Sequence, residues 1–246
     1  MTRTRSAAAT DEAVAQFLWT DIPAEIEPAF NEWYDREHVP DRVLRIPGFV
    51  RGRRFVAVNG GPKYVALYEA ASAVVFSDPA YRVMRREPDP RSRIFIPRFR
   101  NVLRIIGRPL LDLGSGDGEW VRLIAFASPR LLPQAGIASM ASRIDPGRNV
   151  RCRLFAADPD LVSAAVSGMS GSARADLRGA DRLPGLLLMI EADGEDGLGA
   201  FADTATAAML GPDTEVMAAA NMRRILDVYA PANLRGEPCP TSRVRS

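Results

Sequence analysis

The chain has 246 residues, of which 47% are hydrophobic and 25% are charged, and its formal net charge is +2. These values are typical of a globular protein with one large domain or two small ones. The near-neutral charge argues against nucleic-acid binding, and no apolar run reaches the roughly 18 residues of a membrane helix. Two cysteines outside any C-x-x-C pair do not form a disulfide framework, so we expect a cytoplasmic protein.

The first half of the chain follows the order β-α-β-β-α-β. Residues 1–13 lack the apolar core of a signal peptide, and we expect a disordered lead-in there. Segments rich in β-favouring residues predict four strands, with the turn signal "NGGP" between the second and the third, and amphipathic segments predict two helices. The predicted strands cover residues 13–23, 50–59, 62–70 and 98–107, and the predicted helices cover residues 24–45 and about 72–86.

The segment "LLDLGSGDGEW" at residues 110–120 combines an apolar run with a glycine-rich turn. The first motif of many S-adenosylmethionine-dependent methyltransferases begins in this way, because glycine lets the backbone approach a cofactor closely. Such a turn should open a helix, whereas residues 119–129 are dense in β-favouring side chains and end in proline. We therefore expect a linker at 109–118, with a cofactor site as the alternative.

The second half repeats the same order of elements, and "IPGFVRGRRF" in the first half resembles "DPGRNVRCRLF" in the second. The predicted strands cover residues 119–129, 149–158, 184–193 and part of 214–229, and the predicted helices cover residues 130–145 and 197–210. This order predicts an α+β fold of two ferredoxin-like units, repeat 1 at 14–108 and repeat 2 at 119–232, with a C-terminal tail at 233–246. Because each sheet has helices on one face only, the two sheets would pack together as an intramolecular α/β-barrel.

The segment "NEWYDREHVPDRVLRIPGFVRGRRFV", followed by "PKYVALYEA" and "SDPAYRVM", resembles EthD-like members of the dimeric α/β-barrel superfamily of ferredoxin-like proteins. The resemblance covers residues 15–105, and the second half would be a degenerate copy that shares only the order of elements. It implies the barrel fold, one site per chain and a small-molecule substrate. The superfamily includes cofactor-independent cyclases, decarboxylases, isomerases and monooxygenases, as well as haem-using branches and members without known activity.

His38 is the only histidine of the chain and lies inside this segment. Histidine is suited to proton exchange at neutral pH, and Tyr34, four residues earlier, would share its helix face and could bond a carbonyl or enolate oxygen. Glu37 could orient the imidazole only if the helix unwinds just before Pro40. The alternative is that His38 caps the helix while its neighbours pack in the core. The resemblance implies instead that His38 lines the cavity and is catalytic, with Tyr34 and Glu37 as its candidate partners.

Four further residues are candidates for substrate binding. Arg53 and Arg54 are neighbours on a predicted strand, so one of them should point inward, and an inward Arg53 could hold a substrate carboxylate. Tyr64 and Tyr68 fall on one face of the next strand and could line a cavity or pack across strands. Trp33 could bind substrate or belong to the core.

One histidine with dispersed carboxylates gives no spacing typical of zinc or non-haem iron, so we expect neither a metal nor an organic cofactor. The expected function is a cofactor-independent lyase, cyclase or isomerase that acts on a small hydrophobic carbonyl or aromatic compound. A non-catalytic small-molecule-binding or assembly protein of the same fold is the alternative, and a methyltransferase is the third. Association into a homodimer stays open.

Overall fold

The computed structural model describes residues 13–127, 150–167, 183–199 and 215–234, together with the single residues 138 and 142. The expected lead-in lies outside these ranges apart from residue 13, and the expected tail lies outside them after residue 234. The predicted helices at 130–145 and 197–210 also fall almost entirely outside them. No helix in the described part of the chain is long and apolar enough to cross a membrane.

Eight strands form a closed antiparallel barrel, so the eight predicted strands are confirmed. They are β1 (Val14–Asp21), β2 (Phe49–Gly60), β3 (Tyr64–Ala70), β4 (Arg100–Gly114), β5 (Trp120–Phe126), β6 (Arg151–Ala157), β7 (Leu186–Ala192) and β8 (Val216–Tyr229). Around the barrel they lie in the order β1-β3-β2-β8-β5-β7-β6-β4, and β4 pairs with β1 to close it. The first four strands therefore occupy one continuous arc and the last four occupy the other.

The expected linker at 109–118 is strand through Gly114, which corrects its N-terminal boundary. β4 pairs with β1 up to Gly107 and with β6 from Gly107 to Gly114, so one long strand changes partner instead of ending. Pro109 lies at a register shift of the second ladder, where a proline is tolerated in a strand. The glycine-rich turn leads into strand β5, as expected, and a Cβ on Gly118 would lie 2.0 Å from the carbonyl oxygen of Ala192.

The helical segment predicted at 24–45 is confirmed, and it contains one irregularity. A 3₁₀ turn (Ala24–Ile26) leads into α1 (Glu27–Trp33), a π-helical turn (Tyr34–His38) and α2 (Val39–Arg45). The π turn moves the backbone hydrogen bonds by one residue, so that Val39 N–H bonds to the Tyr34 carbonyl. Pro40 then falls in the first turn of α2, where it costs no hydrogen bond, and the helix does not unwind there.

Several short helices replace the single helix predicted near 72–86. They are a 3₁₀ turn (Ala73–Ser77), α3 (Pro79–Arg86), α4 (Pro90–Phe95) and a second 3₁₀ turn (Ile96–Arg98). Asp78 and Asp89 cap the two α-helices by accepting bonds from backbone N–H groups in their first turns. An additional helix, α5 (Pro159–Ser167), follows β6, and a 3₁₀ turn (Ala232–Leu234) follows β8; the sequence analysis missed both.

Apolar side chains fill the barrel interior and pack on its outer surface. The interior takes alternate residues from every strand, such as Phe17, Leu67 and Met189. One outer layer lies between the first arc and helices α1–α4, and α5 contributes Ala165 to it. A second outer layer covers the other arc. The first outer layer contains His38's neighbours and positions the candidate site.

One end of the barrel interior holds four alternating charges, which we call the charge tetrad: Arg53, Glu69, Arg153 and Glu191. Each guanidinium contacts both carboxylates, at distances from 2.5 to 3.2 Å. Burial alone would raise the pKa of Glu69, but the charges of Arg53 and Arg153 outweigh it and lower that pKa to about 2. Asp117, from the glycine-rich β4–β5 connection, lies over this end and accepts a bond from Arg51 at 2.8 Å.

Candidate functional site

His38 ends the π-helical turn and packs against aromatic rings of the same helical segment. Its ring centroid lies 4.4 Å from that of Trp33 and 4.8 Å from that of Tyr34. The expected shared face of Tyr34 and His38 is therefore present. Trp33 also stacks on Phe95 of α4, with centroids 5.0 Å apart, so α4 helps to fix the ring that supports the histidine.

Several buried polar atoms in the layer around His38 have no hydrogen-bond partner among the described residues. They are the Trp33 indole nitrogen, the Tyr34, Tyr68 and Tyr81 hydroxyls and the Gln16 amide oxygen. Gln16 lies directly opposite Tyr68 in the β1–β3 ladder. An unsatisfied buried polar group costs about 1–3 kcal/mol, and native proteins keep few of them. A concentration of such atoms beside the only histidine is typical of a site that a small molecule or ordered water completes.

Arg42 of α2 adds a buried positive charge to this layer. The residue is 3% exposed, and its guanidinium lies 4.4 Å from the centre of the Tyr68 ring. One of its terminal nitrogens is 3.4 Å from His38 Nε2. Arg42 was not predicted as a site residue, although its position four residues after His38 predicts a shared helix face. Tyr81 lies in the segment "SDPAYRVM" but was not predicted as a site residue, and no local pattern indicated Gln16.

The surroundings of His38 favour the neutral imidazole. Burial, followed by the charges of Arg42, Arg85 and Arg54, holds the pKa of His38 well below its usual range. A guanidinium can only donate, so His38 Nε2, which faces Arg42, is the ring nitrogen that carries the lone pair. This nitrogen can take a proton at neutral pH when a ligand replaces the Arg42 contact. Burial also raises the pKa of Tyr68 well above 10, and the neighbouring Tyr34 adds to this rise, so that the phenol stays a hydrogen-bond donor.

Glu37 does not orient His38. Because the helix stays wound through Pro40, the carboxylate turns away and accepts a bond from Arg91 at 2.6 Å. Adjacent residues of a helix do not face each other, and the π turn does not change this. The structure therefore separates Glu37 from the two residues with which the sequence analysis grouped it.

Tyr64 lies at the edge of the layer and not beside His38. Its hydroxyl donates to Glu27 and accepts a bond from Asn31 at 2.9 Å. Arg54 connects this edge to the centre, since its guanidinium lies 5.3 Å from the Tyr64 ring centre and 4.4 Å from the Tyr34 ring centre. Tyr64 and Tyr68 do share one face of β3, as expected. Of the two hydroxyls, that of Tyr68 has no hydrogen-bond partner among the described residues, whereas that of Tyr64 is bonded.

Arg53 lies on the opposite face of the sheet from His38. It points into the barrel, as expected of one member of the Arg53–Arg54 pair, and belongs to the charge tetrad. Asp117 is a third carboxylate near it, at 3.4 Å. The Arg53 guanidinium is therefore already paired with carboxylates of the chain itself. Arg53 does not lie in the layer that contains His38.

An open depression of about 560 Å³ lies at the barrel end opposite the charge tetrad. Residues of the β2–β3 hairpin, such as Asn59 at the end of β2 and Lys63 in the turn, line it together with Asp21, Asn101 and Leu103. Asp21 is already occupied, because it accepts bonds from the Lys63 backbone and the Asn101 side chain at 2.7 Å each. This depression contains none of the residues that surround His38, so size alone does not identify the site.

The residues around His38 do not fit an axial haem ligand. A haem iron binds an imidazole nitrogen directly, whereas His38 Nε2 faces the Arg42 guanidinium and the ring lies between Trp33 and Tyr34. Across the described ranges, no group of three or more histidine, cysteine, aspartate or glutamate residues is placed to hold a metal ion.

Known structures with similar folds support the architecture. The chain is similar to an anthrone oxidase-like protein, with a TM-score of 0.52 and 9% identity over 95% of this chain and 99% of that one. It is also similar to a putative monooxygenase from Fusobacterium nucleatum, with a TM-score of 0.51 and 9% identity over 89% of this chain and 94% of that one.

The chain has the dimeric α/β-barrel fold. In this protein a single chain closes the barrel. No sequence-family model matches the chain, and no curated protein matches it in sequence. At 9% identity the likeness carries the dimeric α/β-barrel fold and not an activity.

Proposed function

We propose that this protein binds a small aromatic or hydrophobic carbonyl compound in the layer beneath α1–α4 and catalyses proton transfer with His38. The observation that carries the proposal is the group of unsatisfied buried polar atoms around a neutral imidazole. Aromatic rings of Trp33, Tyr34 and Tyr68 surround these atoms, which suits a flat apolar ligand with one or two polar atoms.

The proposed reaction is abstraction of a proton from carbon next to a carbonyl. Ligand binding replaces the contact between Arg42 and His38 Nε2. The C–H bond breaks as Nε2 takes the proton, and the electron pair moves onto the carbonyl oxygen to give an enolate. The hydroxyls of Tyr34 and Tyr68 are the candidate donors to that oxygen. Return of the proton to another carbon completes an isomerisation, so the step needs no oxidant or reductant. One well-placed acid–base group typically contributes about 10²–10⁴-fold to the rate.

The descriptions of similar structures agree with this ligand class. One is described as anthrone oxidase-like, and anthrone is an aromatic ketone with an acidic carbon–hydrogen bond. That description belongs to the other protein, and it supports only the choice of aromatic carbonyl compounds as probes.

We also propose that the chain consists of two ferredoxin-like units, close to residues 14–108 and 119–232. The strand order supports this, because the first four strands lie as β4-β1-β3-β2 and the last four lie as β8-β5-β7-β6. The charge tetrad also has one arginine and one glutamate from each proposed unit. Arg53 and Glu69 come from the first unit, and Arg153 and Glu191 come from the second. His38, Tyr34 and Trp33 come from the first unit alone.

The test is deuterium incorporation from D2O into 2-tetralone, a bicyclic aromatic ketone with acidic α-protons, by the wild type, His38→Gln and Glu37→Gln. We expect the wild type to accelerate exchange and His38→Gln to lose roughly 10²–10⁴-fold of the acceleration. Glu37→Gln, one position away and bonded to Arg91, should keep it. Equal exchange by the wild type and His38→Gln would reject the catalytic role. Binding of 2-tetralone without faster exchange would favour the non-catalytic binding protein.

A further inference from the structure

Arg42 is a buried cation without a carboxylate partner in the described part of the chain. Its guanidinium contacts the neutral His38 and the Tyr68 ring, and its Nε atom has no hydrogen-bond partner there. The nearby carboxylates are engaged elsewhere, since Glu37 pairs with Arg91 and Asp35 pairs with Arg54.

A charge in this position needs a counter-charge. Burial of an unpaired ion is strongly unfavourable, and buried charges in proteins are normally paired. Arginine keeps its charge in proteins even when it is buried, so the Arg42 guanidinium is charged here. The aromatic face of Tyr68 compensates a cation only in part. The structure thus holds a fixed positive charge at 3.4 Å from the histidine without supplying the anion.

We propose that Arg42 binds an anionic oxygen of the ligand, a carboxylate or phenolate attached to the aromatic carbonyl compound. This inference rests on the proposed function and narrows its substrate class. A planar guanidinium binds carboxylates through two parallel hydrogen bonds, a geometry that lysine does not reproduce. The apolar part of such a ligand would lie among the rings of Trp33, Tyr34 and Tyr68, next to the unsatisfied hydroxyls.

An anion at Arg42 would also change the basicity of His38. The groups that act on the imidazole are three arginines and one tyrosine: Arg42 and Tyr34 from its own helical segment, Arg54 from β2 and Arg85 from α3. Tyr68 from β3 and Tyr81 from α3 lie beside Arg42. A bound anion offsets part of this positive charge, so the imidazole should hold a proton more readily in the complex than in the free protein.

The single histidine makes the test direct, because an NMR spectrum of the imidazole groups contains one residue. The probes are 2-naphthoate and 2-naphthamide, which share a ring system and differ in charge. Both are titrated into the wild type, Arg42→Gln, Arg42→Lys and Arg45→Gln. Arg45 is the matched control, on the same helix and 77% exposed in an ion pair with Asp41.

We expect the wild type to bind naphthoate about 10-fold or more tightly than naphthamide, with the His38 resonance shifted and its pKa raised by naphthoate only. Arg42→Gln should lose this preference, Arg42→Lys should keep part of it, and Arg45→Gln should leave it unchanged. The intact fold of each variant is checked by the wild-type pattern of backbone resonances.

The opposite results separate two failures. Equal binding of both probes, with shifts at His38, would overturn the anion site and leave the small-molecule site standing. A preference for naphthoate that survives Arg42→Gln would move the anion site to another residue and overturn the assignment. If neither probe shifts His38, the anion site is rejected, and the exchange of 2-tetralone then decides the proposed function by itself.

Discussion

Replacement of Glu191 by glutamine tests the forces that hold the barrel together. The Glu191 carboxylate is 0% exposed, and it accepts bonds from Arg53 at 2.5 Å and from Arg153 at 2.8 Å. Glutamine keeps one acceptor oxygen but turns N–H donors toward the second guanidinium, and it leaves the charge tetrad with one excess positive charge. Removal of one partner from a buried ion pair costs about 3–5 kcal/mol, which is a large share of an ordinary stability of about 5–15 kcal/mol.

The assay is urea unfolding followed by tryptophan fluorescence, with Glu119→Gln as the matched control. Glu119 also pairs with an arginine, Arg223 at 2.6 Å, but the two side chains are 45% and 58% exposed. Exposed pairs contribute about 0–1 kcal/mol, so the control should unfold at nearly the urea concentration of the wild type.

A double variant separates lost charge balance from lost packing. Arg53→Met with Glu191→Leu removes one charge of each sign and keeps the contact between Arg153 and Glu69 at 2.5 Å. We expect it to be more stable than Glu191→Gln, because apolar replacements of a whole buried pair are often tolerated. If Glu191→Gln unfolds at the same urea concentration as Glu119→Gln, the balance of charges in the charge tetrad does not stabilise the barrel.

Three further predictions concern other parts of the fold. Gly52→Ala should lower the free energy of unfolding, measured in urea, by about 1–3 kcal/mol. The added Cβ would lie 2.6 Å from a Val43 methyl group of α2. Gly194→Ala is the control and should not change stability, because a Cβ there would have no atom within 4 Å. Despite its burial, Glu69 has a pKa of about 2 in the folded protein against 4.5 in the unfolded chain. Its contribution to the stability of the fold should therefore be complete above about pH 4.5 and be lost as the pH falls toward 2, which acid denaturation measures. Tyr34→Phe should slow the exchange of 2-tetralone and keep its binding, and an unchanged rate would remove Tyr34 from the mechanism.

The strands could be predicted because each has one buried face and a local alternation of side chains. In β3, for example, Val65 and Leu67 point into the barrel, while Tyr64 and Tyr68 point to the helices. The end of β4 could not be predicted in this way. Pro109 and the glycines after it indicate a break in the chain, and only pairing with a distant strand, β6, keeps residues 109–114 extended.

The candidate site was predictable only where its residues lie close in sequence. Tyr34 and His38 share a face because of helical spacing, and the π turn between them left no signal in the composition. Arg42 is a candidate ligand-binding residue only if no carboxylate of another element pairs with it in the folded chain. Glu37 pairs with Arg91, and these partners are 54 residues apart, so the absence of a counter-charge near Arg42 among the described residues becomes visible only after folding.

The pH dependence of deuterium incorporation from D2O into 2-tetralone tests most directly whether a neutral His38 is the base. The ratio kcat/KM reports the ionisation of the free protein, and His38 has a pKa well below 6.5 because of its burial and the surrounding arginines. The rate should therefore stay constant through neutral pH and fall only at pH values well below 6.5. A fall centred near 6.5, as for a solvated histidine, or exchange that does not depend on the protein, would contradict the account.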